Sequence, residues 1–83
     1  MYRIVFKKKA KKFLDNLPKN ERNRVVSAIR FLPNGDDIKK LKGHNSLFRL
    51  RVGDYRIIYT IDKGECIILV IDVGNRGQIY NRY

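Results

Sequence analysis

Residues 48–59 read FRLRVGDYRIIY, and they limit the fold more tightly than any other stretch of the chain. Apolar and basic residues alternate up to a Gly-Asp pair, and a second extended run follows. Alternation is the period of a strand, and a two-residue turn of this composition joins antiparallel neighbours. With Gly53 and Asp54 in the turn, Val52 stands opposite Tyr55, Leu50 opposite Ile57 and Phe48 opposite Tyr59. Residues opposite one another share a face of the sheet. One face then carries Phe48, Leu50, Val52, Tyr55, Ile57 and Tyr59, which reads as core. The other carries Arg49, Arg51 and Arg56, with Ile58 opposite Arg49. Three guanidinium groups on one side of a sheet form a place where phosphates can be held.

Upstream, Tyr2–Phe6 alternates and is β-branched and aromatic, so it predicts a short strand. Ala10, Phe13, Leu14 and Leu17 then fall on one helical stripe. Lys7, Lys8, Lys9, Lys11 and Lys12 lie mostly off it, either as a solvated face or as a ridge that tracks RNA phosphates. Pro18 opens a second helix with an apolar stripe of Val25, Val26, Ile29 and Leu32, and Pro33, Asn34 and Gly35 close it. The short link around Asn16–Pro18 makes the two helices antiparallel. Residues 36–46 read as a polar, basic connection anchored by Leu41, with His44 at its surface.

After the hairpin, Asp62–Glu65 forms a turn. Cys66–Val73, CIILVIDV, reads as a strand covered on both faces, with Cys66 a small buried residue. Its register stays open, because Asp72 alone marks a polar side. The chain bends between Gly74 and Gly77, and Arg76, Tyr80, Arg82 and Tyr83 gather at its end. The order β-α-α-β-β-β predicts one α+β domain over residues 1–83. An antiparallel sheet takes the first strand at an edge and packs its apolar face against a two-helix hairpin.

Charge narrows the partners. Nineteen Lys and Arg against eight Asp and Glu give +11, a field that favours polyanions, nucleic acid first. No run approaches membrane-spanning length and no secretory signal is visible, so a cytoplasmic protein without membrane association is expected. A single cysteine fits a reducing compartment.

The chemistry must come from arginine, lysine and tyrosine. There is no Cys-His pair at a suggestive spacing, no phosphate-binding glycine loop and no carboxylate cluster, so neither a metal nor a cofactor is expected. RNA brings its own nucleophile, the 2′-OH. A metal-free ribonuclease needs cations for the phosphoryl oxygens and groups that move protons.

Leu41–Gly43 (LKG), Arg49–Tyr59 (RLRVGDYRIIY) and Val73–Tyr80 (VGNRGQIY) resemble the RelE toxins of bacterial and archaeal toxin–antitoxin systems. The resemblance spans essentially the whole chain and implies a compact fold related to microbial ribonucleases. It also implies entry into the ribosomal A site against rRNA. There the mRNA is cut through its 2′-OH to a 2′,3′-cyclic phosphate and a 5′-OH, without metal. The implied partners are a cognate antitoxin, the ribosome and mRNA, with operator DNA reached only through the antitoxin complex.

By position, Arg56 and Arg76 match the family's phosphate arginines and Tyr80 its C-terminal tyrosine. Arg49 falls where some relatives carry a catalytic lysine. Arg51, Lys42, Lys7, Lys8, Lys11 and Lys12 are the expected RNA and ribosome contacts. Leu47 stands where some relatives have a second lysine, and Asn75 where histidine or lysine is common. The general base is therefore unassigned. Two alternatives stay open: a ParE-like inhibitor of DNA gyrase that cuts nothing, and a degenerate homologue that binds RNA or ribosome.

Overall fold

The structure, a computed structural model, describes residues 2–43 and 46–83. His44 and Asn45 of the expected surface loop lie outside the described residues, as do the side chains of Tyr80 and Asn81. The elements are β1 (Arg3–Phe6), α1 (Lys8–Asp15), α2 (Lys19–Arg30), β2 (Ile38–Lys40), β3 (Phe48–Val52), β4 (Tyr55–Asp62), β5 (Ile67–Asn75) and α3 (Arg76–Arg82). One five-stranded sheet runs in the order β1-β5-β4-β3-β2. The expected α+β order holds, with β2 and α3 added to it. β1 does take an edge, but it pairs with β5 in parallel, so the sheet is mixed rather than antiparallel. The chain between those two strands is long enough for the crossover that a parallel pair requires.

The hairpin has the register its sequence dictates. Phe48, Leu50 and Val52 face Tyr59, Ile57 and Tyr55, and Gly53 takes a φ of 58°, a left-handed turn conformation that glycine adopts without penalty. This face packs against Ala10 and Leu14 of α1 and Val25 and Ile29 of α2, all buried. The Phe48 and Tyr59 rings stack at 5.5 Å, and Phe13 meets Tyr55 edge-on at 6.1 Å. The Tyr55 hydroxyl donates to Glu21 Oε1 at 2.6 Å, which ties α2 to the hairpin.

The register of β5 turns on a bulge. Ile58 pairs with Asp72 but Tyr59 pairs with Val70, so Ile71 is passed over. The extra residue reverses which face each side chain takes. Ile68, Val70 and Val73 reach the helix-covered core, and Asp72 and Gly74 are buried on the opposite face. Cys66 departs from expectation. It is exposed, with φ at 53°, and its Sγ lies 3.7 Å from the Lys63 carbonyl oxygen. The turn runs one residue further than its composition indicates, and the left-handed Cys66 redirects the chain into β5.

Burial pushes the Tyr59 phenol up to about 12. A tyrosine raised in the folded state contributes stability that is complete below its unfolded pKa of about 10 and is lost as pH rises through the folded value. The urea midpoint is therefore expected to fall between pH 10 and about 12. Tyr59→Phe should flatten part of that limb, the rest belonging to Tyr55, whose hydrogen bond to Glu21 raises it too; an unchanged alkaline limb would show that folding does not raise Tyr59.

Candidate functional site

The strand pleat sends Arg49, Arg51 and Arg56 to the face away from α1 and α2. Arg51 pairs with Arg56 across the hairpin, and Lys39 of β2 pairs with Arg49. The seven residues of α3 lie over β5 and β4 on this same face. Its anchor is Ile79, 2% exposed, seated over Gly74, where a Cβ would come within 3.0 Å of Ile79 Cγ1. The backbone N–H of Arg76 donates to the Asp54 carbonyl oxygen at 2.9 Å, so α3 starts beside the hairpin turn.

Between α3 and the β2–β3 edge lies a groove of about 500 Å³. Lys39, Lys40, Lys42, Arg49, Arg56 and Tyr83 supply its polar lining, and Leu41, Ile58 and Ile79 its apolar part. A larger hollow of about 650 Å³ lies elsewhere, lined by residues such as Phe48, Ile61 and Leu69. It holds no arginine, so the chemistry belongs to the smaller groove.

Two of the groove's arginines differ in their support. Asp37 accepts from Arg49 Nη2 at 2.8 Å and lies 3.9 Å from Arg51 Nε, while its carbonyl accepts from the Arg51 N–H at 3.0 Å. One carboxylate thus orients two guanidinium groups. Arg56 forms no ion pair among the described residues, although it is 92% buried, and its Nε has no hydrogen-bond partner. Arg49 Nε is likewise buried and unpartnered. Burial, and then the charges of Arg49, Arg51 and Arg76, push the Arg56 pKa down from its usual range, against a weaker opposing pull from the Asp37 carboxylate. Arginine stays charged at neutral pH even so. A buried cation among three others is expensive unless an anion completes it.

On the α3 side, Asp72 is 2% exposed, and its Oδ2 accepts from Arg82 Nη1 at 2.8 Å and from the Tyr83 hydroxyl at 3.4 Å. Lys9 Nζ approaches the same oxygen at 3.5 Å.

Of the residues singled out from sequence, Arg49, Arg56 and Lys42 line the groove, and Arg51 and Arg76 stand close enough to act electrostatically on Arg56. Tyr80 belongs to α3 by its backbone. Lys7, Lys8, Lys11 and Lys12 are exposed and do not line the groove, and Lys11 pairs with Asp15 at 2.9 Å. Sequence reasoning passed over Lys39, Lys40, Asp37 and, as a site residue, Tyr83. The signal for Lys39 was faint: Ile38 is the one apolar residue of a three-residue edge strand. Tyr83 follows Tyr80 at helical spacing, a clue that counts only once the tail is known to be helical. Among the described residues no group of three His, Cys, Asp or Glu side chains is placed to hold a metal, and no helix is long and apolar enough to cross a membrane.

The family model described as ParE toxin of type II toxin-antitoxin system, parDE, matches residues 4–80. Toxin RelE3 of Methanocaldococcus jannaschii is 34% identical, over 98% of this chain and 98% of that protein. The archaeal RelE–RelB complex from Pyrococcus horikoshii superposes with a TM-score of 0.77 at 30% identity, covering 93% of this chain and 97% of that one. The RelB–RelE antitoxin–toxin complex from Methanococcus jannaschii gives 0.76 at 30% identity, with 95% and 98% covered. The fold is thus shared with solved toxins, and the chain belongs to the RelE/ParE family of toxins of type II toxin–antitoxin systems.

Proposed function

We propose that this toxin cleaves mRNA on the ribosome through the RNA's own 2′-OH. The observation that carries the reading is Arg56, a buried guanidinium that forms no ion pair among the described residues and stands in a groove lined by further cations. A scissile phosphate supplies the missing charge. The 2′-OH gives its proton to water as its oxygen attacks phosphorus, the P–O5′ bond breaks with its electron pair on O5′, and a 2′,3′-cyclic phosphate forms. Arg56 and Arg49 face the phosphoryl oxygens, where charge grows in the transition state. Arginine is a poor proton carrier. The groove's proton-carrying groups are Lys39, Lys40, Lys42 and Tyr83. Lys39, paired with Arg49 across β2 and β3, brings an ammonium beside position 49, where the chain itself has arginine. An ammonium can protonate the departing 5′-oxygen. Tyr80 would stack on a base or assist proton transfer, as in the relatives the sequence resembles. The exposed lysines of α1 serve contacts with rRNA or with an antitoxin, the partner class named in the relatives' complexes.

The test is primer-extension mapping of an mRNA on purified translating ribosomes. Cuts within the A-site codon are expected, absent without ribosomes. Arg76→Ala should slow them roughly tenfold to a hundredfold, because a cation beside the phosphate is lost while the groove's own arginines remain. Wild-type cleavage by Arg76→Ala would remove that residue from the site. The gyrase reading is kept by two observations, the ParE description of the matching family model and the absence of histidine or lysine at position 75. Intact mRNA together with inhibited DNA supercoiling would establish it instead.

A further inference from the structure

α3 is a short basic helix lying on a basic face. Residues 76–82 contain Arg76 and Arg82 and no acidic residue. They rest beside Arg49, Arg51 and Arg56, and the repulsion reaches Arg56 from Arg76 directly. A helix of seven residues has little stability of its own, so it stays formed only while docked. Ile79 supplies the apolar part of that docking. Like charges oppose it, and a compensating negative charge must sit beneath the helix. Asp72 is that charge: buried, on the face opposite the core, with Oδ2 2.8 Å from Arg82 Nη1 and 3.4 Å from the Tyr83 hydroxyl.

We propose that Asp72 is a positioning residue, an electrostatic latch that holds the C-terminal end of α3 against the arginine face and so sets Tyr83 at the groove. Two features of the structure support this. The β5 bulge at Ile71 is what places Asp72 on the α3 side rather than in the core. The latch also closes at the end of α3 remote from Arg76, whose own backbone is tied to Asp54. The helix is therefore fixed at both ends, and Asp72 controls the end that carries Tyr83 into the groove. The effect on rate rests on the RNA-cleavage reading above; the effect on the helix does not.

The experiment compares wild type with Asp72→Asn, Arg82→Ala and Arg82→Lys. Asp72→Asn removes the charge and keeps the size. Arg82 has a side chain 46% exposed, so its replacement leaves the core intact should the Asp72 variant fail to fold. Amide hydrogen exchange of the free toxin is expected to speed up about tenfold or more in residues 76–82 for Asp72→Asn and Arg82→Ala, with β4 and β5 still protected. On translating ribosomes the cleavage rate at saturation should fall by a similar factor. The half-saturating ribosome concentration should move less than about threefold, because the groove's lysines and arginines are untouched. Arg82→Lys, which can still reach the carboxylate, should recover most of the rate. Unchanged exchange in residues 76–82 would overturn the latch. So would faster exchange with an unchanged rate, or a loss confined to ribosome binding. Absence of cleavage by the wild type would count against the RNase reading, and the latch would then stand or fall on the exchange result.

Discussion

Arg56→Met is expected to lower mRNA cleavage by about 10²–10³-fold and to make the protein more stable at the same time. The two effects share one cause. Arg56 is 92% buried, forms no ion pair among the described residues, leaves Nε unpartnered and faces three other arginines. The Asp37 carboxylate offsets this only in part. Desolvation of a charge that is incompletely compensated destabilises a fold, and replacing buried ionic groups by apolar ones of similar volume stabilises by about 1–4 kcal/mol in other systems. Methionine has the length and flexibility to occupy the same slot. A gain of about 1–3 kcal/mol in urea unfolding is expected. Arg56→Lys should keep ribosome binding and recover only part of the rate, since an ammonium lacks the planar fork that spans two phosphoryl oxygens. Stability lost rather than gained in Arg56→Met would mean that the guanidinium is already satisfied within the protein and needs no phosphate beside it. Full cleavage by the same variant would independently count against a phosphate there.

What the sequence reveals depends on how many residues report each feature. The β3–β4 hairpin is legible because alternation and a two-residue turn agree over twelve positions, and the faces they assign place Arg49 and Arg56 in the groove. β5 is not legible in the same way. Its run is apolar on both sides, and a bulge passes over Ile71, so that Val70 and Asp72 point to opposite faces although two residues apart. No periodicity encodes that inversion. β2 and α3 escape for a different reason. Three residues with one apolar side chain, and seven with Ile79 as the buried anchor, carry too little pattern. Both are held by what they dock against. The groove is built between those two elements, so Lys39, Lys40 and Tyr83 are invisible until the tertiary structure is known. Asp37 is missed likewise: twelve residues separate it from Arg49, and antiparallel pairing with β2 brings them together.

Ile57→Ala is expected to cost about 2–5 kcal/mol, the range for truncating a fully buried isoleucine. Ile57 is 0% exposed at the centre of the sheet, between Leu50 and Val73 on the helix-covered face. For 83 residues at about 0.05–0.15 kcal/mol per residue, total stability is about 4–12 kcal/mol, so the loss leaves a substantial unfolded fraction at the lower end. Residues 56 and 57 are neighbours in sequence, but their side chains lie on opposite faces of one strand. Because the two side chains project away from each other, their effects should reinforce or oppose one another little. The double variant Arg56→Met/Ile57→Ala is therefore expected to unfold at higher urea than Ile57→Ala alone, by about 1–3 kcal/mol, while cleaving no better than Arg56→Met. Ile57→Ala itself should keep a near wild-type cleavage rate per folded molecule. If the double variant were no more stable than the single one, Arg56 would not be a strain on the fold. If it is more stable and still inactive, the strand has one face that holds the fold together and another that weakens it in exchange for a phosphate site.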